Sequence, residues 1–193
     1  MTNTYLMPVA VVAAVIFGVL ILAPALIPVK KWKKNTYMLT QAAMIAALYV
    51  VLTFLANAFG LANYAVQVRF SEALTILPYF TVAGVPGLFI GCLISNILTG
   101  CALPDIIFGS LATLAGAIGT RKLRAHKWMA PLPPIVANAI VVPLVLKYAY
   151  GIEPLWFSFL TVTAGEILSC GVLGLLLLTA LDKYRGRLFR QDI

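Results

Sequence analysis

The sequence predicts an all-α integral membrane protein: a six-helix core whose second and third helices are short and interrupted, plus one extra N-terminal transmembrane helix. Three observations carry this. The chain of 193 residues is 62% hydrophobic and only 10% charged, with a mean hydropathy of +1.00, whereas soluble domains are about a quarter charged and under half apolar. Its apolar residues form long runs broken by Gly, Pro and short basic stretches. The basic residues gather at run ends: Lys30, Lys31, Lys33 and Lys34; then Arg121, Lys122, Arg124 and Lys127; then Lys183, Arg185, Arg187 and Arg190. Positive loops resist translocation, so such clusters mark the cytoplasmic side. They explain the net charge of +8 as topology rather than a polyanion site, and no nucleic-acid partner is expected.

Each element follows from length and flanking charge. A helix crossing the roughly 30 Å hydrocarbon core needs about 20 apolar residues. The run 8–29 qualifies, and its lysines come after it, unlike those of a secretory signal. It reads as an anchor with its N-terminus outside, so that residues 1–34 form an anchor and basic linker ahead of a membrane domain, 35–193. The run 37–59 starts beside the first basic cluster and runs outward. Loop 60–70 follows, with an alternating, extended segment at its end. Ser71 can cap the next helix, with Glu72 favourably placed at its positive end.

That helix, 72–81, is short, and 83–87 ("AGVPG") breaks the chain before another short helix, 88–98. At about 1.5 Å per residue neither crosses the bilayer alone, and interrupted helices survive at membrane depth only where protein buries them or they line a cavity. The runs 103–120, 131–150 (kinked near Pro143) and 155–181 complete the core and place every basic cluster on one side. The C-terminus is then cytoplasmic, in a multi-pass protein of the cell membrane.

The remaining polar residues need a reason to be there. Arg69, Glu72, Asp105, Lys147, Glu153 and Glu166 fall on the outer side or in the outer half, with Asn57, Asn63, Asn96 and Asn138 in or near it. An ionised group at the bilayer centre costs at least about 2.5–3.5 kcal/mol. Glu166, some way into the last helix, is the most expensive of them, and functional use competes with a structural pair to Arg69 or Lys147. For Glu72 and Asp105, helix capping and ligand contact are both open. Lys147 can snorkel and Glu153 can be solvated. Taken with Tyr64, Tyr79 and Trp156, these groups have the chemistry of a polar ligand pocket with apolar walls.

Ala42 and Ala46, and Ala43 and Ala47, are four apart on adjacent strips of one helix, a pattern that lets another helix approach, for internal packing or for a partner. Cys92, Cys101 and Cys170 lack metal-ligand spacing and read as small core residues. His126 lies in a basic loop. There is no phosphate-binding GxxxxGK[ST] loop, so ATP hydrolysis by that route is excluded; no enzyme activity, cofactor or metal is expected.

The stretch "VQVRFSEALTILPYFTVAGVPGLFIGCLISNILTG", followed by "LPDIIFGSLATLAGAIGTRKLR", resembles the QueT family. Its members are substrate-binding S components of energy-coupling factor (ECF) transporters, assigned to queuosine precursors. The likeness continues through "TQAAMIAALYVVLT", "VANAIVVP" and "AGEILSCGVLGLLL" and covers residues 39–184; the first helix departs from the pattern. The resemblance implies a six-helix S component that binds its substrate from outside and docks on a transmembrane coupling protein with two ATPase subunits, with Ala42, Ala43, Ala46 and Ala47 as the docking face. The implied substrate is a deazaguanine base in its aminomethyl form. A carboxylate suits its guanine edge, an amide its carbonyl, a second acid its ammonium and an aromatic ring its flat face. The matching positions are Glu166, Asn138, Asn96, Asp105, Glu72, Arg69 and Tyr79. Glu166 is assigned the guanine edge, with Asn138 and Asn96 near it and Asp105 or Glu72 on the ammonium. The competing reading is a self-sufficient proton-coupled carrier in which Glu166 cycles protons; a third is a structural membrane protein with no ligand.

Overall fold

The computed structural model describes residues 32–60 and 69–189, and all regular structure among them is helical. Helix α1 is Trp32–Ala58. A 3-10 helix, Phe70–Tyr79, precedes α2, Gly84–Leu98. A π-helical turn, Asp105–Gly109, leads into α3, Ser110–Lys122, and α4 is Leu132–Tyr150. Helix α5, Leu155–Glu166, continues through a π segment, Ile167–Leu173, into α6, Gly174–Asp182. A short α7, Arg185–Leu188, ends the described chain. Three stretches, Thr36–Ala58, Lys127–Tyr150 and Leu155–Asp182, are long and apolar enough to cross a membrane. The expected anchor 8–29 and nearly all of loop 60–70 lie outside the described residues.

The short helix expected at 72–81 is the centre of the fold. It is 3-10 rather than α, and every residue from Ser71 to Tyr79 is buried. A 3-10 helix rises about 2.0 Å per residue against about 1.5 Å for an α-helix. Ten residues therefore reach about 20 Å instead of about 15 Å, which is how so short an element runs deep into the bundle. Ser71 does not cap it. Arg69 stands at the cap position with no side-chain cap bond, and Ser71 Oγ instead accepts a 2.9 Å hydrogen bond from Thr53 Oγ1 of α1. Ser71 thus ties the 3-10 helix to α1 instead of satisfying its own helix end.

The break expected at 83–87 is shorter than that. Helix α2 already starts at Gly84, with Pro86 in its first turn, where a missing N–H costs nothing because that donor has no intrahelical partner. Gly87 and Gly91 then present a bare strip to α1. A Cβ on Gly87 would lie 2.8 Å from the Ala42 carbonyl oxygen, and one on Gly91 would lie 2.7 Å from Tyr49 Cβ and 3.1 Å from Ala46 Cα. The small residues of α1 and α2 thus face each other, and the two backbones approach as closely as glycine permits. Pro143 lies inside α4 without ending it.

Charges gather at the ends. At the basic end Lys127 pairs with Asp182 at 3.2 Å, and Arg121 Nη1 donates to the Pro78 carbonyl oxygen at 3.2 Å. Phe189 stacks on Phe80 with ring centroids 5.0 Å apart, and the Arg185 guanidinium sits 5.7 Å from the centre of the Tyr79 ring. At the acidic end Lys147 and Glu153, expected to be solvated separately, pair with each other at 3.0 Å.

Candidate functional site

Three elements deliver three polar side chains to one buried spot. Glu72 stands in the first turn of the 3-10 helix, Asn138 in the middle of α4 and Glu166 at the last residue of α5. All three are almost fully buried. Asn138 Nδ2 donates to Glu166 Oε1 at 3.0 Å and to Glu72 Oε2 at 3.4 Å, so one amide bridges both acids. Tyr49 of α1 donates its O–H to Glu72 Oε1, and Cys170 donates to Glu166 Oε2 at 3.1 Å. Each carboxylate oxygen is thereby met by a donor. That is the requirement for keeping acids out of water, since a buried polar group left unpaired costs about 1–3 kcal/mol and a charged one more.

Glu72, Glu166 and Cys170 also bring possible metal-ligand atoms within 4.8 Å of one another. Tyr49, Asn138 and Cys170 donate to those same oxygens, so each oxygen already uses one lone pair on a neighbour.

A second polar group lies between α2 and the turn before α3. Asn96 Nδ2 donates to the Asp105 carbonyl oxygen at 3.4 Å and approaches Cys92 Sγ at 3.7 Å. The Asp105 carboxylate accepts from Tyr150 O–H at 3.4 Å, while Tyr150 accepts from the Ala102 N–H at 2.9 Å, pinning the loop before it. Gly109 leaves room here: a Cβ on it would come within 3.1 Å of Asp105 Oδ1. Tyr49, which bonds to Glu72, and Cys92, which Asn96 approaches, belong to the same core cluster.

The sequence-derived set therefore divides. Glu72, Asn138 and Glu166 come together. Asn96 bonds to Cys92 and the Asp105 backbone rather than standing beside Glu166, and Asp105 bonds to Tyr150. Tyr79 belongs elsewhere: it is buried at the basic end against Phe80 and beneath Arg185, because the long rise of the 3-10 helix separates it from Glu72 by about 14 Å along the axis. Helix capping is the use of neither Glu72 nor Asp105, whose carboxylates are engaged by tyrosines from other helices.

The alanine strips divide as well. Ala42 and Ala46 are buried against Gly87 and Gly91, so that strip is an internal contact, while Ala43 and Ala47 remain uncovered. Sequence reasoning missed Tyr49, Cys170 and Tyr150. Signals for the first two were present: Tyr49 continues the inward stripe Ala42, Ala46, Tyr49 and Thr53 at helical spacing, and Cys170 is one turn beyond Glu166. Glu72, Asp105 and Glu166 sit where the backbone departs from α-helix: in the 3-10 helix, at the start of one π turn and just before another. Such departures recur at functional sites.

The curated relative "Queuosine precursor transporter QueT" of Lactococcus lactis subsp. cremoris (strain MG1363) is 37% identical over 82 residues, 42% of this chain and 48% of the relative, so the match spans about half of that relative's length. No solved structure matches the chain. The family described as QueT transporter matches residues 39–183, which include both polar groups and the whole central helix. The chain belongs to the QueT transporter family.

Proposed function

We propose that the chain is the substrate-specificity component of an ECF-type transporter, binding a queuosine precursor from outside the cell for import by partner ATPase subunits. The observation that carries the reading is the pair of buried carboxylates bridged by Asn138. The deazaguanine base in its aminomethyl form has the complementary groups. Its guanine edge offers N–H donors that Glu166 can accept in parallel, its carbonyl suits the Asn138 amide and its ammonium suits Glu72. The family name and that of the Lactococcus relative support the substrate class. Asp105, Asn96 and Arg69 then line the approach rather than the base itself.

In this reading the basic end is cytoplasmic, the N-terminal anchor crosses first from outside, and the uncovered strip of Ala43 and Ala47 meets the transmembrane coupling protein. Calorimetry of the full chain in detergent tests the substrate. The aminomethyl deazaguanine base should bind more tightly than guanine, and riboflavin should not bind. Absence of binding by every deazaguanine base would overturn the reading.

A further inference from the structure

We propose that Cys170 is a positioning residue for substrate capture: its thiol holds Glu166 until a ligand's N–H groups take the carboxylate, then turns to a second acceptor. The inference rests on the functional reading above and goes beyond it by separating the roles of the two acids.

The geometry is specific. Cys170 is completely buried and lies in the π segment, one turn after Glu166. Its Sγ is 3.1 Å from Glu166 Oε2 and 3.4 Å from the backbone carbonyl oxygen of Glu72. A thiol has one hydrogen, so it can serve only one of these acceptors at a time. Thr75 Oγ1 lies 3.3 Å from the sulfur and 2.5 Å from the same Glu72 carbonyl oxygen, so the hydroxyl, the thiol and the carbonyl form one small network.

The four contacts on the acid pair are unequal. Glu72 is held at Oε1 by a phenol O–H, a strong donor, and at Oε2 by an amide N–H at a long 3.4 Å. Glu166 is held by the same amide and by an S–H, a weak donor. Oε2 of Glu166 is thus released at small cost, and its release leaves the thiol the Glu72 carbonyl oxygen, 3.4 Å away, as an acceptor shared with Thr75 Oγ1. A ligand N–H arriving at Oε2 exchanges a weak hydrogen bond for a strong one. Glu72, by contrast, stays fixed by Tyr49. The structure assigns Glu166 as the acid that changes partners and Glu72 as the acid that stays.

The test uses the purified full chain and the aminomethyl deazaguanine base. Cys170→Ser places a stronger donor on Oε2 and should weaken binding by about three- to tenfold. Cys170→Ala removes the competitor and should leave affinity within about twofold of wild type, or tighten it. A residue that merely fills space gives the reverse order, since Ser is the closer replacement in size. A second readout needs no variant: one S–H stretching band of the wild-type chain should shift when the base is added and stay put with riboflavin. Unmoved S–H bands with a base that binds, or a Ser variant that binds as well as the Ala variant, overturn the role of Cys170 alone. A wild-type chain that binds no deazaguanine base removes the substrate reading and this inference together.

Discussion

The two ends of the bundle are closed by different chemistry. At the acidic end, and down to the middle of the fold, elements are joined by hydrogen bonds between side chains on separate helices: Tyr49 to Glu72, Asn138 to both acids, Tyr150 to Asp105. At the basic end they are joined chiefly by an aromatic stack, Phe80 on Phe189, and by the Lys127–Asp182 ion pair, beside single hydrogen bonds from Thr81 to Gln41 and from Arg121 to the Pro78 carbonyl. The central 3-10 helix connects the two, with Glu72 near one end and Tyr79 at the other. Directional bonds in a buried setting can be exchanged one for one with a ligand's donors. Ring packing has no such partner to offer. Under the proposed function, the first set of bonds is the one a solute exchanges and the second holds the bundle shut.

The largest expected effect strikes the acid pair. Glu166→Gln keeps the shape but replaces a charged acceptor by an amide, and base affinity should fall about 100-fold in calorimetry, as expected for losing charge-assisted hydrogen bonds, with membrane insertion unchanged. Wild-type affinity in this variant would dissolve the distinction between the two ends.

Next comes the α1–α2 contact that supports Tyr49. Gly91→Leu drives a side chain into Tyr49 and the Ala46 backbone and should destabilise the fold by about 1–3 kcal/mol, seen as a lower melting temperature in detergent. Ala46→Leu acts on the same buried seam and should destabilise in the same direction. An unchanged melting temperature for both would mean that the seam is not closely packed.

Smaller effects sharpen the contrast. Phe189→Ala removes the ring stacked on Phe80 and should lower the melting temperature by an amount worth about 1 kcal/mol while leaving base affinity within about twofold. A large loss of affinity would show that the basic end shares in recognition. Ala47→Leu, on the uncovered strip, should change neither stability nor binding and should reduce uptake in cells that carry the ATPase subunits. Uptake that persists in cells lacking those subunits would favour a proton-coupled carrier instead.

Much of this was legible before any fold was known, for one physical reason. A charged or amide side chain in an apolar run is expensive in lipid, so Glu72, Asn138 and Glu166 stood out by cost alone. Tyr49 and Cys170 did not, since a tyrosine or cysteine in such a run carries little penalty and signals nothing. Asn96 and Asp105 were as conspicuous as Glu166, yet hydrogen bonding directs them to Cys92 and Tyr150. Which of several costly groups share a site depends on distances between helices, and spacing along one chain does not encode them.

The sequence by itself determined the solvent, the helical class, the basic end and the candidate acids, because these follow from summed hydropathy and from charge beside each run. Only the tertiary structure decided that a 3-10 helix lies at the centre, that Ala42 and Ala46 are spent on Gly87 and Gly91, and that a single amide joins two carboxylates. Those outcomes rest on contacts between segments far apart in the chain. Small residues, rings and thiols look alike on a helix until the fold supplies their neighbours.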